Sequence, residues 1–302
     1  QINYHSKNVG VVDLLKLPEN EMRNFRGNEI AMIFQEPMTS LNPVYTCGEQ
    51  VIESILRHQK ISVKTARQKT IRLFNEVQLP NPKTIFNSYP HQISGGQRQR
   101  VMIAMAISCN PVILIADEPT TALDVTVEHT ILKLLQKLQK ERNMSIIFIT
   151  HDLGVIAQLA DRVIVMYKGR IAEEGNTWKI FAYPQHPYTK GLLACRPPLN
   201  YRYRRLPTIT DFMITQQDGS LTESLLTIEQ VTSRLIVSKR EREKNQEKIY
   251  TQEPILQIKN LIKHFPVHKG FFGRAKQFTK VLDDVSFDVY PGETLGLVGE
   301  SG

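Results

Sequence analysis

Two neighbouring carboxylates, Asp117 and Glu118, follow directly on the apolar run Val112-Ile113-Leu114-Ile115-Ala116. Such a run reads as a buried strand that delivers both acids to its C-terminal edge, the ligand side of an open α/β sheet. There one carboxylate can hold Mg²⁺, directly or through water, and the next can orient and deprotonate an attacking water. An acidic turn after a strand has the same residues. The stretch Ser94-Gly95-Gly96-Gln97-Arg98-Gln99-Arg100-Val101 offers a complement. Ser94 can cap a helix whose two glycines leave the first-turn amides uncovered, and such a helix start accepts a phosphate closely. An ordinary capped helix after a glycine turn would look alike. His151 ends the run Ile146–Thr150, where its ring can hydrogen-bond a terminal phosphate and the water aimed at it, or serve structure alone.

The elements that must position these groups follow from periodicity. Ile30–Phe34, Val112–Ala116, Ile146–Thr150 and Val163–Tyr167 read as buried parallel strands. Between them, Cys47–Gln59, Thr65–Gln78, Gln97–Ser108 and Val125–Glu141 carry helical patterns, so residues 1–199 read as compact α/β material. Residues 200–253 change character: Tyr201-Arg202-Tyr203-Arg204-Arg205 opens a mixed-charge stretch that reads as a linker with a solvated helix around Leu225–Glu247. From Pro254 a strand-like alternation begins at Ile255–Leu261 and Val281–Val289, followed by the turn Pro291-Gly292-Glu293 and a buried strand at Thr294–Val298.

Composition narrows the function classes. The net charge of +8 points to anionic partners such as nucleotide, nucleic acid or an anionic membrane face, although the excess is scattered in the manner of a solvated surface. Cys47, Cys109 and Cys195 are far apart and form no CxxC pair, which argues against a disulfide framework or a metal-binding knuckle. No run of eighteen apolar residues occurs.

Order and spacing join the separate signals: a strand ending at Gln35, a helical insertion, the glycine turn, Asp117-Glu118, Asp124 and His151. In that arrangement the stretch Ile30–Gly175 resembles the nucleotide-binding domain of an ABC transporter downstream of its phosphate loop. Gln35 matches the Q-loop glutamine and Ser94–Gln97 the signature motif. Val112–Glu118 matches Walker B, Ala122-Leu123-Asp124 the D-loop, and His151 the switch histidine. Phe34–Val44 and His186-Pro187-Tyr188-Thr189-Lys190-Gly191-Leu192-Leu193 are similar to the branch that powers dipeptide, oligopeptide, glutathione and nickel uptake.

The far end adds a second resemblance. Leu295-Gly296-Leu297-Val298 runs into Gly299-Glu300-Ser301-Gly302, which looks like the first half of a phosphate loop. A full G-x-x-x-x-G-K-[ST] needs further residues, including the lysine. Phe265 resembles the family's aromatic adenine-stacking position, with core packing the equal alternative.

The expected fold is therefore an α/β, P-loop NTPase ABC-type nucleotide-binding domain with a helical subdomain, followed by the start of a second such domain. Its parts are a first ABC ATPase domain lacking its Walker A part at 1–175 and a peptide-importer C-terminal extension at 176–199. A linker follows at 200–253, then the N-terminal part of a second domain, cut within Walker A, at 254–302. The resemblance implies ATP as ligand and Mg²⁺ as cofactor. Asp117 and Gln35 would serve the metal, Glu118 would be the general base, and His151 and Gln35 would sense the γ-phosphate. Ser94, Gly95, Gly96, Gln97 and Asp124 would reach nucleotide across a two-domain interface, and Phe265, Gly299, Glu300, Ser301 and Gly302 would belong to the second site. The implied partners are two integral membrane permease subunits, a periplasmic or lipoprotein substrate-binding protein reached through them, and a second ATPase domain in the same chain, with no nucleic acid. The implied place is the cytoplasmic face of the inner membrane, as a peripheral protein. Lacking both phosphate-loop lysines, the 302 residues are expected to show no steady ATPase activity by themselves. The competing class is a soluble ABC-type ATPase acting on nucleic acid or ribosomes, which the basic charge favours and the uptake-branch segments disfavour.

Overall fold

The structure is a computed structural model and describes every residue except 7–8, 36–39, 122, 197, 199, 217–220, 224–226, 268–276 and 300–302. It divides into two compact units, Gln1–Val163 with Gly175–Trp178, and Ile164–Glu174 with Lys179–Gly302.

The first unit opens on an antiparallel hairpin, β1 (Asn3–Ser6) and β2 (Gly10–Asp13). Helix α1 (Glu19–Phe25) follows, and its Phe25 meets Tyr4 edge to face, with 5.9 Å between ring centroids. Tyr4 and Ser6 both donate to the Glu29 carboxylate, at 2.8 and 3.1 Å. Together these contacts tie the hairpin to the start of β3 (Ile30–Ile33).

The expected helical insertion is three helices, α2 (Cys47–His58), α3 (Val63–Glu76) and α4 (Pro82–Asn87). Their starts are local chemistry. Thr46 and Glu49 form a reciprocal capping box on α2, and Ser62 accepts from the Thr65 amide on α3. Cys47, Val51 and Ile55 recur every four residues and are buried along one face of α2. That face lies so close to α4 that a Cβ on Gly48 would sit 2.4 Å from the Phe86 ring. Only glycine permits this approach.

Helix α5 (Gly95–Ala106) then leads to β4 (Ile113–Asp117), α6 (Val125–Arg142), β5 (Ser145–Ile149) and the short α7 (Leu153–Leu159). Strands β3, β4 and β5 form a parallel sheet in that order, with β4 central. Leu114 and Ala116 of β4 are buried, and the core runs from Leu114 through Ile103, Phe74, Ile131 and Leu135. Fully burying one such side chain stabilises by roughly 1.5–3 kcal/mol. Arg142 closes the far end of α6: it holds Glu76 of α3 through two bonds of 2.7 Å and donates to the Ile107 carbonyl at 3.1 Å.

The fourth expected strand departs from the sequence reading. Strand β6 (Arg162–Tyr167) pairs with β7 (Arg170–Asn176) in a two-stranded sheet rather than joining β3–β5. Lys168 and Gly169 both have positive φ (48° and 76°), the turn that folds a strand straight back on its neighbour. Ile164 and Met166 accordingly remain exposed while Val163 and Val165 are buried.

After α8 (Thr177–Ala182) and α9 (Pro187–Ala194), the stretch read as a linker builds a small core of its own, in which Phe212 and Val231 pack with Ala194. A short hairpin, β8 (Met213–Thr215) with β9 (Leu221–Glu223), follows Phe212. The single solvated helix expected near Leu225–Glu247 is two, α10 (Ile228–Ser233) and α11 (Lys239–Tyr250). The break has a cause: Val237 donates to Arg202 at 2.8 Å and Arg204 to Leu235 at 2.7 Å, main-chain bonds that draw 235–237 out of helical geometry. Ser238 then caps α11, which buries none of its residues. Of the basic stretch, Arg204 pairs with Glu241 and Arg205 with Asp211.

The last region is a long antiparallel hairpin, β10 (Leu256–Val267) with β11 (Gln277–Val289), whose register slips beside Asn260 and Asp284, both at positive φ. The buried strand expected at Thr294–Val298 does not form. These residues pair with no strand among the described residues, and Val298 is fully exposed. An apolar segment becomes a buried strand only when neighbours satisfy its amides and carbonyls.

Candidate functional site

Register places the site. In the parallel sheet Ile33 lies opposite Ala116, and Asp117 opposite Ile149. Just beyond the strand ends, Gln35, Glu118 and His151 therefore emerge side by side at the C-terminal edge. The distances bear this out. The Gln35 amide Nε2 donates to Glu118 Oε2 at 2.9 Å, and His151 Nδ1 lies 2.9 Å from Glu118 Oε1. The partners are 83 and 33 residues apart in the chain.

The backbone at Glu118 is set with equal care. Its φ is +44°, a left-handed value that costs a non-glycine residue about 1 kcal/mol or more. Its amide is held by the Ile149 carbonyl at 2.9 Å, and its carbonyl accepts from the Thr121 amide at 3.2 Å. The Thr121 hydroxyl also donates to Glu118 Oε2, at 2.9 Å. Thr121 escaped the sequence reading; the available signal was a hydroxyl three residues after the acid in a turn, a spacing that lets side chain and backbone close together.

Electrostatics follow from these bonds. The His151 ring, then the Thr121 hydroxyl and the Gln35 amide, hold the Glu118 carboxyl below the usual carboxylate range against an opposing burial effect. The same contact raises His151 above an ordinary histidine. Glu118 is thus a carboxylate with both oxygens occupied, and His151 is the more exposed partner. The arrangement can present an ionised carboxylate and an imidazole to a substrate seated over the strand ends.

The Asp117 side chain, at the last position of β4, makes no hydrogen bond or ion pair among the described residues. Among those residues no group of three or more His, Cys, Asp or Glu side chains could hold a metal ion. A single free carboxylate at a strand end is the kind of ligand Mg²⁺ takes together with phosphate oxygens and water.

The glycine turn forms the expected helix start. Ser94 Oγ accepts from the Gln97 amide at 3.3 Å, and Gln97 Oε1 accepts from the Ser94 amide at 3.1 Å. The amides of Gly95 and Gly96 are left for solvent or an anion. A Cβ on Gly96 would lie 2.7 Å from Val127 Cγ1, so this glycine lets α5 approach α6. Asp124 Oδ1 caps α6 by accepting from the Val127 amide at 2.8 Å and from the Thr126 hydroxyl at 2.7 Å.

Phe265 and Gly299 lie in the second unit. Phe265 is exposed on β10, with Lys263 Nζ 5.3 Å from its ring centroid. A Cβ on Gly299 would meet nothing. Glu300, Ser301 and Gly302 lie outside the described residues.

Comparison with known proteins adds independent findings. Residues 4–121 match the family model described as ABC transporter, and residues 172–219 match that for the oligopeptide/dipeptide transporter C-terminal region. The chain is 47% identical over 297 residues to the glutathione import ATP-binding protein GsiA of Salmonella choleraesuis (strain SC-B67), covering 98% of this chain and 45% of that protein. It is 48% identical over 297 residues to GsiA of Escherichia coli O1:K1 / APEC, covering 97% and 44%. The chain thus spans less than half the length of these curated relatives. Among solved structures it is similar to the ATP-binding cassette MJ0796 in a dimeric, post-hydrolysis state bound to ADP and Pi. The TM-score is 0.50 at 29% identity, over 58% of this chain and 73% of that one.

Proposed function

We propose, from the match of residues 4–121 to the ABC transporter model and of residues 172–219 to the oligopeptide/dipeptide transporter C-terminal model, that the chain is part of the ATP-hydrolysing subunit of an importer for peptide-type cargo. The observation that carries this reading is the meeting of Gln35, Glu118 and His151 over three parallel strand ends, with Glu118 oxygens 2.9 Å from both partners. The relatives named for glutathione import support a peptide-type cargo such as glutathione or another peptide, with nickel, an ion outside that class, as the other cargo of the uptake branch.

In this reading Glu118 is the general base: its ionised carboxylate orients a water toward the γ-phosphorus of ATP and takes its proton. His151 hydrogen-bonds the transferring phosphate and that water. Asp117 and Gln35 would hold Mg²⁺, which would supply charge neutralisation for the leaving diphosphate. The Ser94–Gln97 helix start would contact the γ-phosphate of nucleotide held by a second ATPase domain, with Asp124 at the same interface and Phe265 and Gly299–Gly302 serving that second site. Two membrane permeases would receive the resulting closure through the insertion α2–α4 and pass on cargo from a substrate-binding protein. The subunit would sit peripherally on the cytoplasmic face of the membrane; among the described residues no helix is long and apolar enough to cross it. The match at 172–219 supports transport over action on nucleic acid.

The test is Glu118→Gln in the ATPase assembled with its permeases. Phosphate release should fall about 10³-fold while labelled ATP stays bound. Undiminished release would remove the reading.

A further inference from the structure

Glu118 has three side-chain donors, and they are not equivalent. Gln35 arrives from the end of β3 and His151 from the end of β5, and the proposed mechanism gives both to substrate or metal. Neither can be committed wholly to Glu118 while it serves the nucleotide. Thr121 differs in each respect. It is three residues from Glu118 and closes the same turn through its amide at 3.2 Å. Its hydroxyl reaches Glu118 Oε2 at 2.9 Å, the oxygen that Gln35 also occupies. Being β-branched, it has few side-chain rotamers, so the hydroxyl is aimed by the turn itself. The neighbouring Thr120 hydroxyl is turned elsewhere, to Glu128 of α6 at 2.8 Å.

We propose that Thr121 is a positioning residue for the general base: its hydroxyl anchors Oε2 of Glu118 when Gln35 and His151 turn to the nucleotide, so that Oε1 faces the attacking water. The inference rests on the assignment of Glu118 as base. It explains why a carboxylate on a strained left-handed residue keeps one defined orientation although its two distant partners must exchange. Thr121 touches neither substrate nor metal in this scheme and acts only through Glu118.

Thr121→Val keeps the shape of the side chain and removes the hydroxyl; Thr121→Ala removes both, and Thr121→Ser restores the donor. Because Thr121 is exposed, none of the three should change the unfolding midpoint appreciably. In the assembled ATPase, Val and Ala should each lower kcat about tenfold with KM for ATP unchanged within about twofold, and Ser should recover most of the loss. The carbon signal of the Glu118 carboxyl group in NMR should move in Val and Ala and return in Ser. Wild-type kcat in Val and Ala would overturn the proposal, as would a parallel rise in KM or a failure of Ser to rescue. Glu118→Gln separates the layers: if it is inactive while Thr121→Val is normal, only the anchor is wrong, and if it is active, the base assignment falls and the anchor with it.

Discussion

The sheet edge at β3–β5 and the stretch after β11 are both short apolar segments followed by polar turns, yet they have opposite fates. In the first, Leu114 and Ala116 are buried, each strand has a parallel neighbour, and three polar side chains converge within 2.9 Å. In the second, Leu295, Leu297 and Val298 are exposed and the segment pairs with nothing among the described residues. The difference teaches that a motif acquires geometry from its neighbours. A strand aims the residue at its end only when its own rotation and register are fixed by hydrogen bonds to its neighbours and by side chains packed on its faces.

The comparison can be broken at several points. The largest stability effect is expected at Gly48, where an added methyl would drive into the Phe86 ring: Gly48→Ala should destabilise by about 2–3 kcal/mol in denaturant unfolding. A cost under about 0.5 kcal/mol would show that the insertion packs loosely. Arg142→Ala removes the two-bond grip on Glu76 and should cost about 2 kcal/mol, because the carboxylate left behind is partly buried. Leu297→Ser serves as the opposite control. If the segment is as exposed in solution as here, stability should stay within about 0.5 kcal/mol, and a clear loss would mean the two regions are less different than they look.

The smallest effect sharpens the site itself. His151 is raised by Glu118, so the charged form of their contact is fully present below the ordinary histidine midpoint and is lost as pH rises through the elevated one. Glu118 is lowered, so its share is present above the ordinary carboxylate midpoint and is lost as pH falls through the depressed one. Following the His151 ring by NMR should show an elevated midpoint that Glu118→Gln returns toward ordinary. An unmoved midpoint would separate the two side chains.

Much of this molecule was legible residue by residue. Ser94 with Gln97 is a contact across three positions that was read from spacing alone; Thr46 with Glu49, Ser62 with Thr65 and Asp124 with Val127 are caps of the same local kind. The acids ending β4 and the histidine after β5 were visible for the same reason, since a strand displays its end wherever it lies. Where the reading failed, a partner decided. Val163–Tyr167 looked like another sheet strand, and the Lys168-Gly169 turn gave it a different neighbour. The helix read across Leu225–Glu247 is broken where residues 202–204 bond to 235–237.

By itself the amino-acid order determined which residues could carry the chemistry, which stretches are helical, and which segments are apolar enough to be strands. Tertiary structure alone decided that Gln35, Glu118 and His151 share one edge and that Thr121 completes the set of donors around the carboxylate. Local bonds are closed within one turn of chain, whereas register between strands whose end residues lie 33 to 83 positions apart depends on which elements become neighbours, and no spacing along the chain encodes that choice.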